Sequence, residues 1–242
     1  MQVALLTIGD ELLAGDTENT NATWLARRLS ERGVVVKRIL VVPDDEAAIA
    51  RKVREYAAAF DAVLLTGGLG GTPDDVTMTA VARAFDRSLA VNEAALEDVE
   101  ATLERVREAY PDIDVDPAAE ASIPAGARAL PNETGLSPGC VLENVYVFPG
   151  IPEEMRPMFE RVETEFAGES RSRSFHTATP EGDLVGTLTE ARERFDLAVG
   201  CYPDRAARRN RIKVVGEDDA RLDEATAWLK ERVTVVEDDP EQ

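Results

Sequence analysis

Four glycines within five residues, Gly67, Gly68, Gly70 and Gly71, follow the apolar run Ala62 to Leu65 and precede a segment of helical period. Glycine loses the most backbone freedom on ordering, so neither a helix nor a strand is expected to run through this stretch. The chain must turn there, between a strand end and a helix start. Two more apolar runs end in similar breaks. Val3 to Ile8 stops at Gly9, and the β-branched run Val34 to Val42 stops at Pro43-Asp44-Asp45. Helical segments fill the gaps: one capped by Asn19-Thr20-Asn21 and ending at Gly33, one reaching about Ala59, and one from about Asp75 to Phe85. Strands alternating with helices of this length predict a three-layer α/β domain with a mostly parallel sheet covered on both faces.

Further along, residues 92–109 read as one amphipathic helix and Pro111 to Pro117 as an acidic connection. Val141 to Phe148 reads as a strand pair or a single strand kinked at Asn144. Pro149-Gly150-Ile151-Pro152 then opens a helix reaching about Phe166. Gly168 to Ser174 is polar and reads as a linker. Beyond it the pattern is strand (Ser174 to Ala178), helix (Asp183 to Glu193), strands (Asp196 to Tyr202 and Arg211 to Val215), helix (Ala220 to Glu231) and strand (Val233 to Val236). That order, β-α-β-β-α-β, belongs to small ferredoxin-like or KH-like α+β domains. The expected domains are residues 1–168 and 174–237.

Composition narrows the function. Forty-seven acids against 27 bases leave a net charge of −20, and only four of the bases are lysine. Such a surface repels nucleic-acid phosphates, so no nucleic-acid partner is expected. Few lysines and many dispersed acids also resemble the proteins of salt-accumulating halophiles. No run approaches the ~20 apolar residues of a membrane span. The N-terminus lacks the basic start of a signal peptide, which makes a cytoplasmic location the expectation. Cys140, Cys201 and the single His176 match no short-spaced metal motif.

The glycine loop carries the chemistry. Between a strand end and a helix N-terminus it aims backbone N–H groups outward, toward an anion, and it lies where open α/β sheets bind ligands. It is neither a GxGxxG nor a Walker sequence. On its glycines alone, a tight turn and a phosphate site weigh equally. Asp74 and Asp75 shift that balance, because carboxylates beside a phosphate cradle need a cation between them, and paired hard oxygens suit Mg²⁺ or a similar ion. The alternative is that one of them only caps the next helix. Asp44 and Glu11 follow neighbouring strands and could converge on the same crevice.

The runs TIGDELLAGDTENTNATWLARRLSERG, VPDDE, TGGLGGTPDDVTMTAVA and FPGIPEEM resemble the CinA N-terminal family, which has the molybdopterin-binding fold of MogA and MoaB proteins. The resemblance spans about residues 1–166, and residues 170–237 resemble the small KH-like domain that follows in CinA proteins. It leaves no room for the C-terminal amidase domain of full-length relatives. It implies phosphate or ligand binding by Thr66, Gly67, Gly68, Gly70 and Thr72, with Asp75 and Asp44 catalytic and Asp75 and Asp74 on a divalent metal (Mg, Mn or Co). Gly9, Glu11 and Asn21 match positions near the pocket, and Pro149, Gly150 and Pro152 match the turn that closes it. Asn132, Gly135 and Gly139 loosely follow a further family pattern. Where relatives usually have proline, this chain has Gly71.

The expected function is therefore metal-dependent hydrolysis of nucleotide diphosphates such as ADP-ribose or FAD. Two alternatives stand beside it: molybdopterin binding or adenylylation, and a non-catalytic nucleotide- or pterin-binding module. The expected partners are a small nucleotide or pterin ligand and further copies of the chain, as a dimer or trimer, with no membrane. His176 reads as incidental. The cluster Arg205-Arg208-Arg209-Arg211 lacks the GxxG clamp of an RNA-binding KH domain.

Overall fold

The structure is a computed structural model that describes residues 1–236. Residue 237, the expected end of the second domain, lies outside the described residues. The chain divides into two compact units, Met1–Gly168 and a second beginning at Glu169.

The first unit opens with β1 (Gln2–Ile8), a short helix α1 (Asp10–Ala14), α2 (Thr20–Glu31), β2 (Val35–Val42), α3 (Glu46–Ala59), β3 (Ala62–Thr66) and α4 (Thr77–Ala84). It continues through β4 (Leu89–Val91), α5 (Glu93–Ala109), α6 (Pro117–Glu120), β5 (Ser122–Pro124), β6 (Arg128–Leu130), β7 (Gly139–Leu142), β8 (Val145–Phe148) and α7 (Pro152–Val162). The main sheet has the order β2-β1-β3-β8-β7-β6. Its first four strands pair in parallel, and β7 and β6 join antiparallel.

Why the strand runs are apolar throughout is plain from the two faces they serve. Alternate residues of a strand point to opposite sides. Ala4, Leu6 and Ile8 pack with Ile49 and Val53 of α3 and Val81 of α4. Val3 and Leu5 pack with Leu25 and Leu29 of α2 and Met158 and Phe159 of α7. A sheet covered on both faces leaves no polar alternation to read.

Several local expectations are corrected. Val141 to Phe148 is a hairpin in which Leu142 pairs with Val145, and Glu143 turns with a φ of 52°. The helix after the glycine loop starts at Thr77, two residues later than expected, behind an N-cap, Val76, whose side chain makes no capping bond. Asp74 and Asp75 are thus not caps. The short strands β4, β5 and β6 and the five-residue α1 carry too little periodicity to be seen in the sequence.

The second unit comprises β9 (Arg171–Thr177), α8 (Glu181–Phe195), β10 (Ala198–Asp204), β11 (Arg209–Gly216), α9 (Asp219–Lys230) and β12 (Val235–Val236). It is an α+β unit whose antiparallel sheet has the order β10-β11-β9-β12. Phe175, Ile212 and Val214 pack with Leu184, Ala191, Leu222 and Leu229 of the two helices. Part of the expected linker, from Arg171 onward, is strand. Among the described residues, no helix is long and apolar enough to cross a membrane.

Candidate functional site

The carboxyl ends of β1, β2, β3 and β8 meet at one edge of the main sheet, as parallel pairing of those four strands requires. The glycine loop is fixed there from below. The Gly67 N–H donates to the Phe148 carbonyl (3.1 Å), which continues the β3–β8 pairing past the strand end. Thr77, first residue of α4, donates its hydroxyl to the Gly67 carbonyl (2.9 Å) and its N–H to the Gly68 carbonyl (3.1 Å). Gly67 and Gly68 have φ of 102° and 67°, and a Cβ on either would collide, with the Ile8 carbonyl and the Thr77 hydroxyl respectively. Only glycine fits both positions. With their carbonyls drawn inward, the loop's remaining donors are released: no hydrogen bond among the described residues uses the N–H groups of Gly68, Leu69, Gly70 or Gly71. The Gly67 N–H, by contrast, belongs to the sheet and is not on offer to a ligand.

The acids are held by reciprocal bonds between neighbouring loops. The Asp10 N–H donates to Asp44 Oδ2 (2.8 Å), and the Asp44 N–H returns a longer bond to Asp10 Oδ1 (3.4 Å). This pins the β1 and β2 ends together. Burial, together with the carboxylates of Asp10, Glu11 and Asp74, raises the Asp44 carboxyl above its ordinary value, against the Asp10 N–H that lowers it. Asp75 Oδ2 accepts from the Thr72 N–H and hydroxyl. Asn21 crosses to the β8 end, its Nδ2 donating to the Gly150 carbonyl (2.6 Å).

A cavity of about 510 Å³ opens among these groups. Of the residues singled out in the sequence, it collects Gly9 and Glu11 after β1, Asp44 after β2, and Gly67, Gly68, Gly70, Asp74 and Asp75 after β3. Pro149, Gly150 and Pro152 close it from the β8 side. Asn21 and Thr66 instead line an adjoining cavity of about 90 Å³ that shares Glu11, Gly150 and Pro152 with the larger one. Thr72 lines a third cavity of about 300 Å³, across the glycine loop, together with Asp75 and Glu120.

Sequence reasoning missed Leu136, Ser137 and Glu154, which complete the wall of the large cavity. They are placed by Asn132, which is 1% exposed. Its Nδ2 donates to the Ser137 carbonyl (3.0 Å) and Glu154 Oε2 (2.7 Å), while its Oδ1 accepts from the N–H groups of Thr134 (3.3 Å) and Gly135 (3.0 Å). Glu154 was visible in the sequence only as a first-turn acid of α7. Gly139 sits apart, inside β7, where a Cβ would meet the Val147 carbonyl.

The large cavity is lined by five carboxylates, from Glu11, Asp44, Asp74, Asp75 and Glu154, and by no Lys, Arg or His among the described residues. Backbone N–H groups suit a phosphate, but the carboxylates repel one. A divalent cation bridging the two sets resolves that conflict, and Mg²⁺ is usually held by one or two carboxylates plus substrate phosphates. Among the described residues, no group of three or more His, Cys, Asp or Glu side chains is arranged to hold a metal by itself. The donors fit a cation completed by ligand oxygens, and no ready-made cage is present.

Comparison with known proteins supports this placement of the chain. The family described as "Probable molybdopterin binding domain" matches residues 4–167, and that described as "FAD synthase, middle domain" matches residues 169–239. A protein of Archaeoglobus fulgidus is 34% identical over 233 residues, which are 96% of this chain and 97% of that one. A CinA-like protein of Geobacter metallireducens is 34% identical over 251 residues, covering 96% of this chain but 60% of the longer relative. Among solved structures, the protein CinA from Thermoplasma acidophilum, described as of unknown function, aligns with a TM-score of 0.62 at 30% identity, over 69% of this chain and 99% of that one.

Proposed function

The chain belongs to the molybdopterin-binding-domain family, in its CinA-like form, and from that premise we propose that it hydrolyses nucleotide diphosphates such as ADP-ribose or FAD with a divalent metal ion. The observation that carries this reading is the pairing of unused loop N–H groups with carboxylates in one cavity that contains no basic side chain. The N–H groups from Gly68 to Gly71 would hold the diphosphate oxygens. Asp75 and Asp74 would hold the cation (Mg²⁺, Mn²⁺ or Co²⁺), whose chemistry is to neutralise the diphosphate and make bound water acidic. Asp44 would orient the attacking water and take its proton. Its raised carboxyl makes it a better base than an ordinary aspartate. Asn21 and Glu11 would bound the adjoining cavity.

A second reading, pterin binding with or without adenylyl transfer, is favoured by the family match over residues 4–167. It would use the same loop and acids. The test is AMP release from ADP-ribose and FAD by purified protein with each metal, then with EDTA. Metal-dependent release abolished by Asp75→Ala supports hydrolysis. No turnover with any metal, on folded protein, removes it and leaves the pterin reading.

A further inference from the structure

The glycine loop has two sides. One faces the large cavity, and the other walls the cavity of about 300 Å³, which shares Gly68, Leu69, Gly70 and Asp75 with it. The far side of this second cavity differs in chemistry from the first. Met78 of α4 and Leu89 of β4 give it apolar surface, and Leu89 is 39% exposed. Thioether and branched alkyl groups are good surfaces for a flat ring. Glu120, the last residue of α6, supplies a carboxylate at the loop crest, with its Oε1 3.1 Å from the position a Cβ on Gly71 would take. The Ser137 hydroxyl, from the wall of the first cavity, donates to Glu120 Oε2 (3.4 Å).

The crest therefore presents two complementary groups side by side: an ionised carboxylate, which only accepts, and the unused N–H groups of Gly70 and Gly71, which only donate. An amino group next to a ring nitrogen matches that pair. Adenine has such an edge, with an N6 amino donor beside a ring-nitrogen acceptor, and so does the 2-amino edge of a pterin. A ring with an oxo group in place of the amino group would set oxygen against carboxylate.

We propose that this second cavity binds an amino-bearing heterocycle, adenine or pterin, with its amino group donated to Glu120, its ring flanked by Met78 and Leu89, and its phosphates over the loop. This rests on the loop binding phosphate, as in the proposed function, and requires no turnover. It makes Glu120 a specificity determinant.

The test is equilibrium binding of two matched pairs, ADP-ribose against its inosine analogue and pterin against lumazine, each pair differing by amino for oxo. Inorganic pyrophosphate is titrated separately as the probe of the loop. Wild-type protein should favour the amino member of at least one pair by about tenfold or more, the loss expected when a site's acceptor faces the wrong group. The pair that discriminates identifies the heterocycle. Glu120→Ala should bring the ratio to within about twofold. Glu120→Gln, which offers an amide N–H as well as a carbonyl, should tighten binding of the oxo member, a gain that a merely structural role cannot produce. Equal wild-type affinity within both pairs, or a ratio unchanged in both variants, overturns the proposal. If pyrophosphate binds but the heterocycle adds nothing, this inference alone falls. If neither pyrophosphate nor ADP-ribose binds, the phosphate-loop reading falls and takes it along.

Discussion

Asp75 is turned back on its own loop by Thr72: its Oδ2 accepts from the Thr72 hydroxyl at 2.6 Å and from the Thr72 N–H at 3.1 Å, while its own N–H donates to the Thr72 carbonyl at 2.9 Å. The ring closes Pro73 and Asp74 into a tight turn and leaves Asp75 Oδ1 outside these bonds. A carboxylate aimed by two donors needs no rearrangement to meet a cation.

Asp75→Ala should lower AMP release at least about 100-fold and destabilise the fold by only about 1 kcal/mol, the scale of a lost local side-chain bond. Thr72→Val, which keeps the carboxylate but removes the hydroxyl that orients it, should lose about tenfold. Steady-state turnover with parallel thermal melts checks both. Equal loss of binding and turnover in Asp75→Ala would mean that this side chain serves the ligand's ground state alone.

The raised Asp44 carboxyl gives a pH signature. As a base it works deprotonated, so activity should be present above its pKa and lost as pH falls through it. The acid limb should lie above the ordinary aspartate value of ~3.9. Stability has the opposite sign. A carboxyl raised in the folded state binds more protons folded than unfolded, so its ionisation costs stability that returns as pH falls. Asp44→Asn should abolish the limb in kcat/KM, while leaving stability near neutral pH unchanged or slightly higher.

Asn132 is buried and its side chain makes four hydrogen bonds within loop 132–137 and to Glu154. Asn132→Ala should cost about 2–3 kcal/mol, since several buried partners are orphaned together. Denaturant unfolding measures this, and ligand affinity should fall as Ser137 and Glu154 lose their support.

Burial pushes the Cys140 thiol up to about 12, so it stays protonated at pH 8. A thiol reagent at that pH should leave Cys140 unmodified in the native protein and label it at once in denaturant. Cys201 is only partly buried, so slow native labelling should map to it alone. Mass spectrometry after timed labelling gives the answer. Native labelling of Cys140 would show that the β7 region opens readily.

The paired carboxylates were legible as residues but not in their roles. The strand ends that carry Glu11, Asp44 and Asp75 could be read from apolar runs stopped by Gly9, Pro43 and Gly67. Parallel pairing then puts those ends on one edge. Ser137, Glu154 and Glu120 were not legible. Each arrives from a segment whose position is fixed by contacts distant in sequence, such as Asn132 with Glu154 or Glu120 with Ser137.

The sequence by itself determined the two-faced parallel sheet, the chain reversal at the glycine loop and the excess of acids, because apolar period, glycine and charge act over a few residues. Tertiary structure alone decided which loop N–H groups are used. The Phe148 carbonyl takes that of Gly67, and Thr77 draws in the Gly67 and Gly68 carbonyls, leaving the next four N–H groups unused. A hydrogen bond across 81 positions, from Gly67 to Phe148, exists only once β3 and β8 have paired. No local pattern encodes that pairing, because its stabilisation comes from packing both sheet faces at once.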